Sequence, residues 1–335
     1  MKFLTGAPLA LLLHASFCVP SYLSAATIQP TPQGHSVPSS DVVWQSAKAE
    51  HVYGFSEIKA HTKGTLTLSA DALTFSKKSG NASIPRSSLT AVSAGNERVE
   101  LWGIEGRIMR MAIPDSGGLA AAAVLHHRID MLTVEFRDSR GGGHRAVFFL
   151  PANEAERALA SFALGSVEPR EVSDAVCQNT VTEPGSVLVY APNWDQAEVP
   201  AVYRALVYEH VVDRLRRTKG VGHVYRDGEN NAQTACPQYT IHISIATFKA
   251  GSSVERAFMG PVGMFVGTTQ MKFDVTFADS MNKLNTSEQI TATMRGESES
   301  TDVADHLAKS LAKHYVTALK KADKSQPAKT VNPTS

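Results

Sequence analysis

Lys63-Gly64-Thr65-Leu66-Thr67-Leu68 alternates polar and apolar positions, Ser69-Ala70-Asp71 turns, and Ala72-Leu73-Thr74-Phe75 alternates again. A period of two on both sides of a short polar turn predicts a β-hairpin. Lys77–Asn81 is turn-rich, and short strands follow around Ile84 and from Ser88 to Val92. Met131–Phe136 and Arg145–Leu150 predict another hairpin across Asp138–His144, where Gly141-Gly142-Gly143 supplies the turn. A helix then starts at Pro151, with Ala155, Leu159, Phe162 and Ala163 on its apolar face.

The second half has a different rhythm. Val187-Leu188-Val189-Tyr190 is a continuous apolar run of the buried-strand type. From Ala197 to Arg217 the stripe Tyr203, Val207, Val211 and Leu215, widened by Val202, Leu206 and Val212, predicts a helix packed on a sheet. Strands follow at Val221–Tyr225, Tyr239–Ile245, Met271–Phe277 and Ile290–Met294. A last helix begins near Thr301 or Asp302 and buries Val303, Leu307, Leu311, Tyr315 and Leu319. The order β-α-β-β-β-β-α predicts one sheet with two helices on one face.

The predicted organisation is a signal segment at 1–26, a flexible Pro/Ser/Gln-rich lead-in at 27–50, a first domain at 51–165, a linker at 166–183, a second domain at 184–321, and a flexible tail at 322–335. Met1–Ala26 joins Lys2, the uncharged apolar stretch Leu4–Phe17, a break at Pro20 and the small residues Ser24-Ala25-Ala26. That is the pattern of a cleaved export signal, and the apolar run is shorter than the ~20 residues of a membrane span. Phe17 before Cys18 departs from a lipidation motif, which calls for a small residue there. The expected location is therefore the periplasm or cell envelope, without lipidation. Net charge is +1, carried by Lys2 of the signal, so the chain lacks the basic footprint of a nucleic-acid binder.

Export also bears on the cysteines. With Cys18 in the signal, Cys177 and Cys236 are left, and two cysteines in an oxidising compartment are expected to pair. Closing that loop of about 60 residues would stabilise by roughly 4 kcal/mol at most in the chain-entropy model. Two free buried thiols are the alternative.

The first block resembles the pleckstrin-homology and GRAM superfamily. The residues are Gly64–Leu68, the turn with Asp71, Leu73 and Phe75, the stretch Ile84–Leu89, and the final hairpin and helix. The resemblance implies an antiparallel β-barrel with a C-terminal helix. It departs between Val99 and His127, where Leu119–Leu125 reads as an insertion. Members that bind phosphoinositides use basic residues near the first hairpins. Lys77, Lys78 and Arg86 occupy such positions, and a solvated turn is the competing reading. The second block resembles small α/β domains of bacterial envelope proteins: the N-terminal domain of the TolB family, curli-type assembly lipoproteins and, more closely, envelope lipoproteins of unknown function. Its likeness rests on the long third strand, Ser252–Ala257, the glycine loop Gly260–Gly267, and Lys272–Asp279. The whole is thus expected to be α+β: a PH-like barrel followed by a βαββββα domain.

Catalytic patterns are sparse. There is no HExxH, GxSxG, P-loop or Rossmann fingerprint, and adjacent His126-His127 diverge on any regular element. Ser280/Lys283 and Ser310/Lys313 match SxxK without the partner motifs of that enzyme class. Glu209 and Asp213 share a helix face near arginines and read as ordinary ion pairs. No catalytic residue, metal or cofactor is therefore expected. Ala257–Val266 is uncharged and glycine-punctuated, where connecting loops are usually polar. Phe258, Met259, Val262, Met264 and Phe265 either fold back over the core or form a contact for a partner or a membrane surface. The strand face carrying Thr240, His242, Ser244, Lys272, Asp274, Thr276, Thr291 and Thr293 is a second candidate, with a solvated or packed face as the alternative. The expected function is a non-catalytic exported protein that binds an envelope protein in an adaptor or assembly role. The alternatives are a periplasmic lipid- or small-molecule-binding protein and, behind it, an unrecognised enzyme.

Overall fold

The computed structural model describes residues 41–100, 126–162, 181–194, 197–229, 236–249, 269–279, 284–294 and 302–325. The fold is α+β. Seven strands form the first sheet: β1 (Val42–Tyr53), β2 (Thr62–Ser69), β3 (Ala72–Lys77), β4 (Gly80–Pro85), β5 (Leu89–Glu100), β6 (His126–Arg137) and β7 (Gly143–Leu150). They lie in the order β4-β3-β2-β1-β7-β6-β5, every pair antiparallel.

The expected closed barrel is instead an open sheet with β4 and β5 as its edges. The physical reason lies between them. The chain passes from β4 to β5 through the 3₁₀ turn Arg86–Ser88, which redirects it so that the two strands do not share a ladder. Helix α1 (Ala155–Phe162) packs against β5, β1 and β6. Asp130 Oδ2 of β6 accepts the Ala155 N–H at 3.0 Å at the start of α1, and the Arg86 guanidinium donates to the Ser161 and Phe162 carbonyls at its end. A carboxylate at the N-terminus and a cation at the C-terminus both complement the helix dipole. Arg86 is thereby occupied as a helix cap.

β1 begins at Val42, inside the stretch whose composition reads as a lead-in. Its inward residues Ser46, Ala49 and His51 are small or polar, so no apolar alternation announces a strand. Backbone pairing with β2 and β7 holds it instead. Just past β1, Gly54 has φ +114°, and a Cβ there would lie 2.2 Å from the Arg145 carbonyl oxygen and 2.6 Å from Ala146 Cα. Backbone atoms cannot step aside cheaply. We expect Gly54→Ala to lower the urea-unfolding free energy by about 2–3 kcal/mol, from overpacking and strain together. A change below a few tenths would show that the β1–β7 approach is looser than described.

The second sheet comprises β8 (Thr182–Val189), β9 (Val224–Arg226), β10 (Cys236–Lys249), β11 (Thr269–Asp279) and β12 (Asn285–Met294), in the order β12-β11-β10-β8-β9. β8 is parallel to both β9 and β10, and the other pairs are antiparallel. A parallel pair needs a crossover, supplied between β8 and β9 by α2 (Ala201–Arg216). Helix α3 (Val303–Ser325) follows β12 and packs on β11, β12 and α2.

Residues 40–335 form one compact unit, and the cores do not follow the sequence blocks. Leu132, Val134, Ala146, Phe148 and Leu150 pack under the first sheet with Leu66, Leu68, Phe75 and Phe162. Ile129, Met131, Val147 and Phe149 project from the other face of β6 and β7 into the core of the second half, among residues of α2, β8, β10, β11 and α3. Burial on both faces explains the unbroken apolar run Ala146–Leu150.

Candidate functional site

The densest chemistry among the described residues lies where α2 meets β7 and β9. Arg226 and Glu209 are each 3% exposed, and the guanidinium grips the carboxylate with two bonds, Nη1 to Oε1 at 2.9 Å and Nη2 to Oε2 at 2.8 Å. The Arg145 N–H of β7 donates to the same Oε1 at 2.8 Å, and Arg226 Nη1 also donates to the Gly143 carbonyl at 3.0 Å. One ion pair thus joins β9, α2 and β7. Burial opposes the Arg226 charge, but Glu209 outweighs it and holds the guanidinium above its ordinary range.

Aromatic groups complete the junction. The Arg145 guanidinium sits 4.2 Å from the centroid of the fully buried Tyr208 ring. The Tyr208 hydroxyl accepts the Asp227 N–H at 2.8 Å, and burial pushes its pKa up to about 12. Arg145 Nε lies 3.5 Å from Glu135 Oε2. Beside it, Asp138 Oδ1 accepts the N–H groups of Arg140 and Gly142, which closes the β6–β7 turn. The turn docks on the loop after β9 through Gly143 N–H to Asp227 O at 2.9 Å and an Arg140–Glu229 contact at 3.2 Å. Gly228, with φ +76°, keeps that approach open: a Cβ there would meet Arg137 Nη1 at 2.0 Å. His144 stacks on Phe136 and contacts Asp138 at 3.1 Å, and burial lowers its pKa.

A second contact joins the same bodies. The Tyr53 hydroxyl of β1 donates to Asp213 Oδ2 of α2 at 2.6 Å, and its ring stacks on His210 at 4.1 Å. His210 is 3.9 Å from Asp305 of α3, and burial lowers its pKa.

Glu209 and Asp213 were expected to form ordinary ion pairs with nearby arginines. Glu209 pairs with Arg226 of β9, whereas Asp213 accepts from Tyr53 of β1. Most of α2 is buried, including Val202, Tyr203, Ala205, Leu206, Tyr208, Val211 and Val212, and its exposed arginines Arg214 and Arg216 lie in the last turn, so Glu209 takes its partner from another element. The broad apolar stripe of α2 and the continuous run in β7 were the available signals for this junction. Arg226 carried none, because nothing in Val224-Tyr225-Arg226 marks its buried end.

The other expected residues divide. Phe258, Met259, Val262, Met264, Phe265 and Cys177 lie outside the described residues, as does the Ser280/Lys283 pair. Cys236 is 2% exposed at the start of β10 and is disulfide-bonded. Ser310 and Lys313 lie on α3, with Lys313 exposed. Thr240, His242, Ser244, Lys272, Asp274, Thr276, Thr291 and Thr293 all lie on the sheet face opposite α2 and α3, each partly or fully exposed. Cross-strand bonds tie that face, Thr276 with Ser287 at 2.8 Å and Gln289 Nε2 to Asp274 Oδ1 at 3.0 Å. Among the described residues no group of three or more His, Cys, Asp or Glu is placed to hold a metal, and no helix is long and apolar enough to cross a membrane.

No protein-family model matches the chain, and no curated protein matches it in sequence. Among solved structures it is similar to the PelC dodecamer from Paraburkholderia phytofirmans, with 16% identity over 40% of this chain and 90% of that chain and a TM-score of 0.27. A variant PelC dodecamer from the same organism gives 17% identity, 40% and 88% coverage, and a TM-score of 0.27. A crystal structure of an uncharacterized protein gives 10% identity, 44% and 96% coverage, and a TM-score of 0.23. Likenesses at these scores carry no argument about fold or role.

Proposed function

We propose that this chain is an exported, non-catalytic protein that binds another component of the cell envelope in an adaptor or assembly role. The observation that supports the reading is the junction itself. Glu209 of α2 and Arg226 of β9 bond to each other and to backbone groups of β7, and the Tyr208 hydroxyl accepts the Asp227 N–H after β9. They hold two sheets in one orientation. A two-sheet body with polar residues on one sheet face and an uncharged, glycine-rich stretch at 257–266 suits a binding scaffold. In finer detail, the antiparallel order of β1–β7 followed by α1 suits a PH/GRAM-like domain. The order βαββββα suits an envelope-type α/β domain. Export rests on Met1–Ala26.

The test is crosslinking in cells that make the protein, then capture through a C-terminal tag and mass spectrometry. Wild type and a Phe258→Ser/Phe265→Ser variant run side by side. We expect the captured chain to begin near Thr27 and to bring one reproducible envelope partner, reduced at least about tenfold in the variant at equal abundance, as for loss of central apolar anchors. An intact Met1 on the captured chain, or the same crosslinks in both samples, overturns the reading.

A further inference from the structure

The two sheets present four edges, and three of them are guarded. β4 is six residues long and ends at Pro85, β5 carries a register shift between Leu89 and Ala91 with α1 packed against it, and β9 has three residues. Short length, proline, bulges and covering helices are the usual means of blocking strand addition. β12 is neither short nor interrupted by a proline or a bulge, and α3 packs on its inner face. It runs ten residues, Asn-Thr-Ser-Glu-Gln-Ile-Thr-Ala-Thr-Met, without Pro, Gly or Lys, and pairs with β11 in an unbroken register from Asn285 to Met294. Its far side meets no strand among the described residues. Its only charge, Glu288, bonds to His314 of α3 on the inner side.

We propose that β12 is a dimerisation edge that pairs antiparallel with β12 of a second copy, joining the two sheets into one. Side-chain parity and charge select this occupant. Ile290 and Ala292 face the helices, whereas Ser287, Gln289 and Thr291 face the open side. Antiparallel partners directly opposite each other share a face, so a twofold axis must pass through one residue of β12. With the axis at Ile290, that residue meets Ile290 of the second copy and continues the apolar inner face. Glu288 then lies opposite Ala292 of the second copy, so the two like charges stay apart. On the open face Gln289 lies opposite Thr291 of the second copy, and Ser287 opposite Thr293 of the second copy. These are pairs of the hydroxyl and amide type that stabilise adjacent strands. About that axis Thr286 to Met294 pair with the same nine residues of the second copy, and Asn285 lies beyond the paired stretch.

Sedimentation velocity on the full exported chain, from about 1 to 100 µM, tests this directly, because association of this kind is concentration-dependent. The comparison is a Ser287→Lys/Thr291→Lys variant. Both positions are exposed on the open face, so circular dichroism should match wild type, while loss of the Ser287–Thr276 bond and a lysine opposite Lys272 should lower the urea midpoint only slightly. We expect a monomer–dimer equilibrium in wild type and a dissociation constant at least about tenfold weaker in the variant, the effect of lysine on an open edge. A wild-type chain that stays monomeric throughout the range overturns the proposal. So does an oligomer of any size that the two lysines leave unchanged.

Discussion

Glu209→Ala is expected to lower the free energy of unfolding by about 3–5 kcal/mol, the usual cost of removing one partner from a buried ion pair. The loss is large because Arg226 stays 3% exposed with no carboxylate, and the Arg145 N–H loses its acceptor. Arg226→Leu should cost a similar amount, since it strands Glu209 and frees the Gly143 carbonyl. A Glu209→Leu/Arg226→Leu double variant should recover part of the loss, because two apolar side chains need no desolvated charge between them. Recovery should be incomplete, since the Arg145 N–H and the Gly143 carbonyl still lack their side-chain partners. Urea titrations of both single variants and the double variant measure this as a double-mutant cycle. Single-variant losses below about 1 kcal/mol that simply add would mean that water reaches the pair, as at a surface bridge.

Acid should weaken the protein in a window set by His51. This residue is 1% exposed among Phe55, Phe75 and Phe148. Its Nε2 accepts the Phe55 N–H at 3.1 Å, so the neutral ring carries its proton on Nδ1, facing the Lys59 carbonyl at 3.4 Å. A second proton would set one N–H against another. Burial pushes the pKa down to about 4, and the nearby His61 and Lys77 charges add to that, against the carbonyls of Lys59 and Tyr53. The folded pKa therefore lies below the unfolded value of about 6.5. The stabilisation is complete above pH 6.5 and disappears as the pH falls toward 4. A shift of that size corresponds to about 3 kcal/mol. Burial lowers the pKa of His144 and His210 as well, so both act in the same direction. The lowered carboxylates Glu50, Asp138 and Asp305 respond only at more acid pH. Urea unfolding at several pH values between 7.5 and 4.5 measures the slope. His51→Gln, which keeps an acceptor for Phe55 but does not titrate, should flatten it. An unchanged slope in that variant would place the acid sensitivity elsewhere.

Much of the secondary structure was legible in the sequence. The hairpins at Leu66–Phe75 and Met131–Leu150, both long helices and the order βαββββα all follow from periodicities of two and 3.6. Those periodicities report which face of each element is buried, and burial is a local pattern. β1 escaped because its inward residues are Ser46, Ala49 and His51, and its place depends on ladders with β2 and β7.

The functional reading divides along the same line. The sequence by itself determined the signal-like N-terminus, the near-zero charge, the strand and helix faces, and the uncharged stretch at 257–266. Only the tertiary structure decided that the first sheet stays open, that β6 and β7 feed two cores, and that the polar residues of β10, β11 and β12 share the sheet face away from the helices. It alone also decided that Glu209 answers Arg226 and the Arg145 N–H, and that Asp213 answers Tyr53. The reason is range. A helix or strand period is set by neighbours within a few residues. A buried charge instead takes its partner from whichever elements the packing brings within about 3 Å, however far apart they lie in the chain.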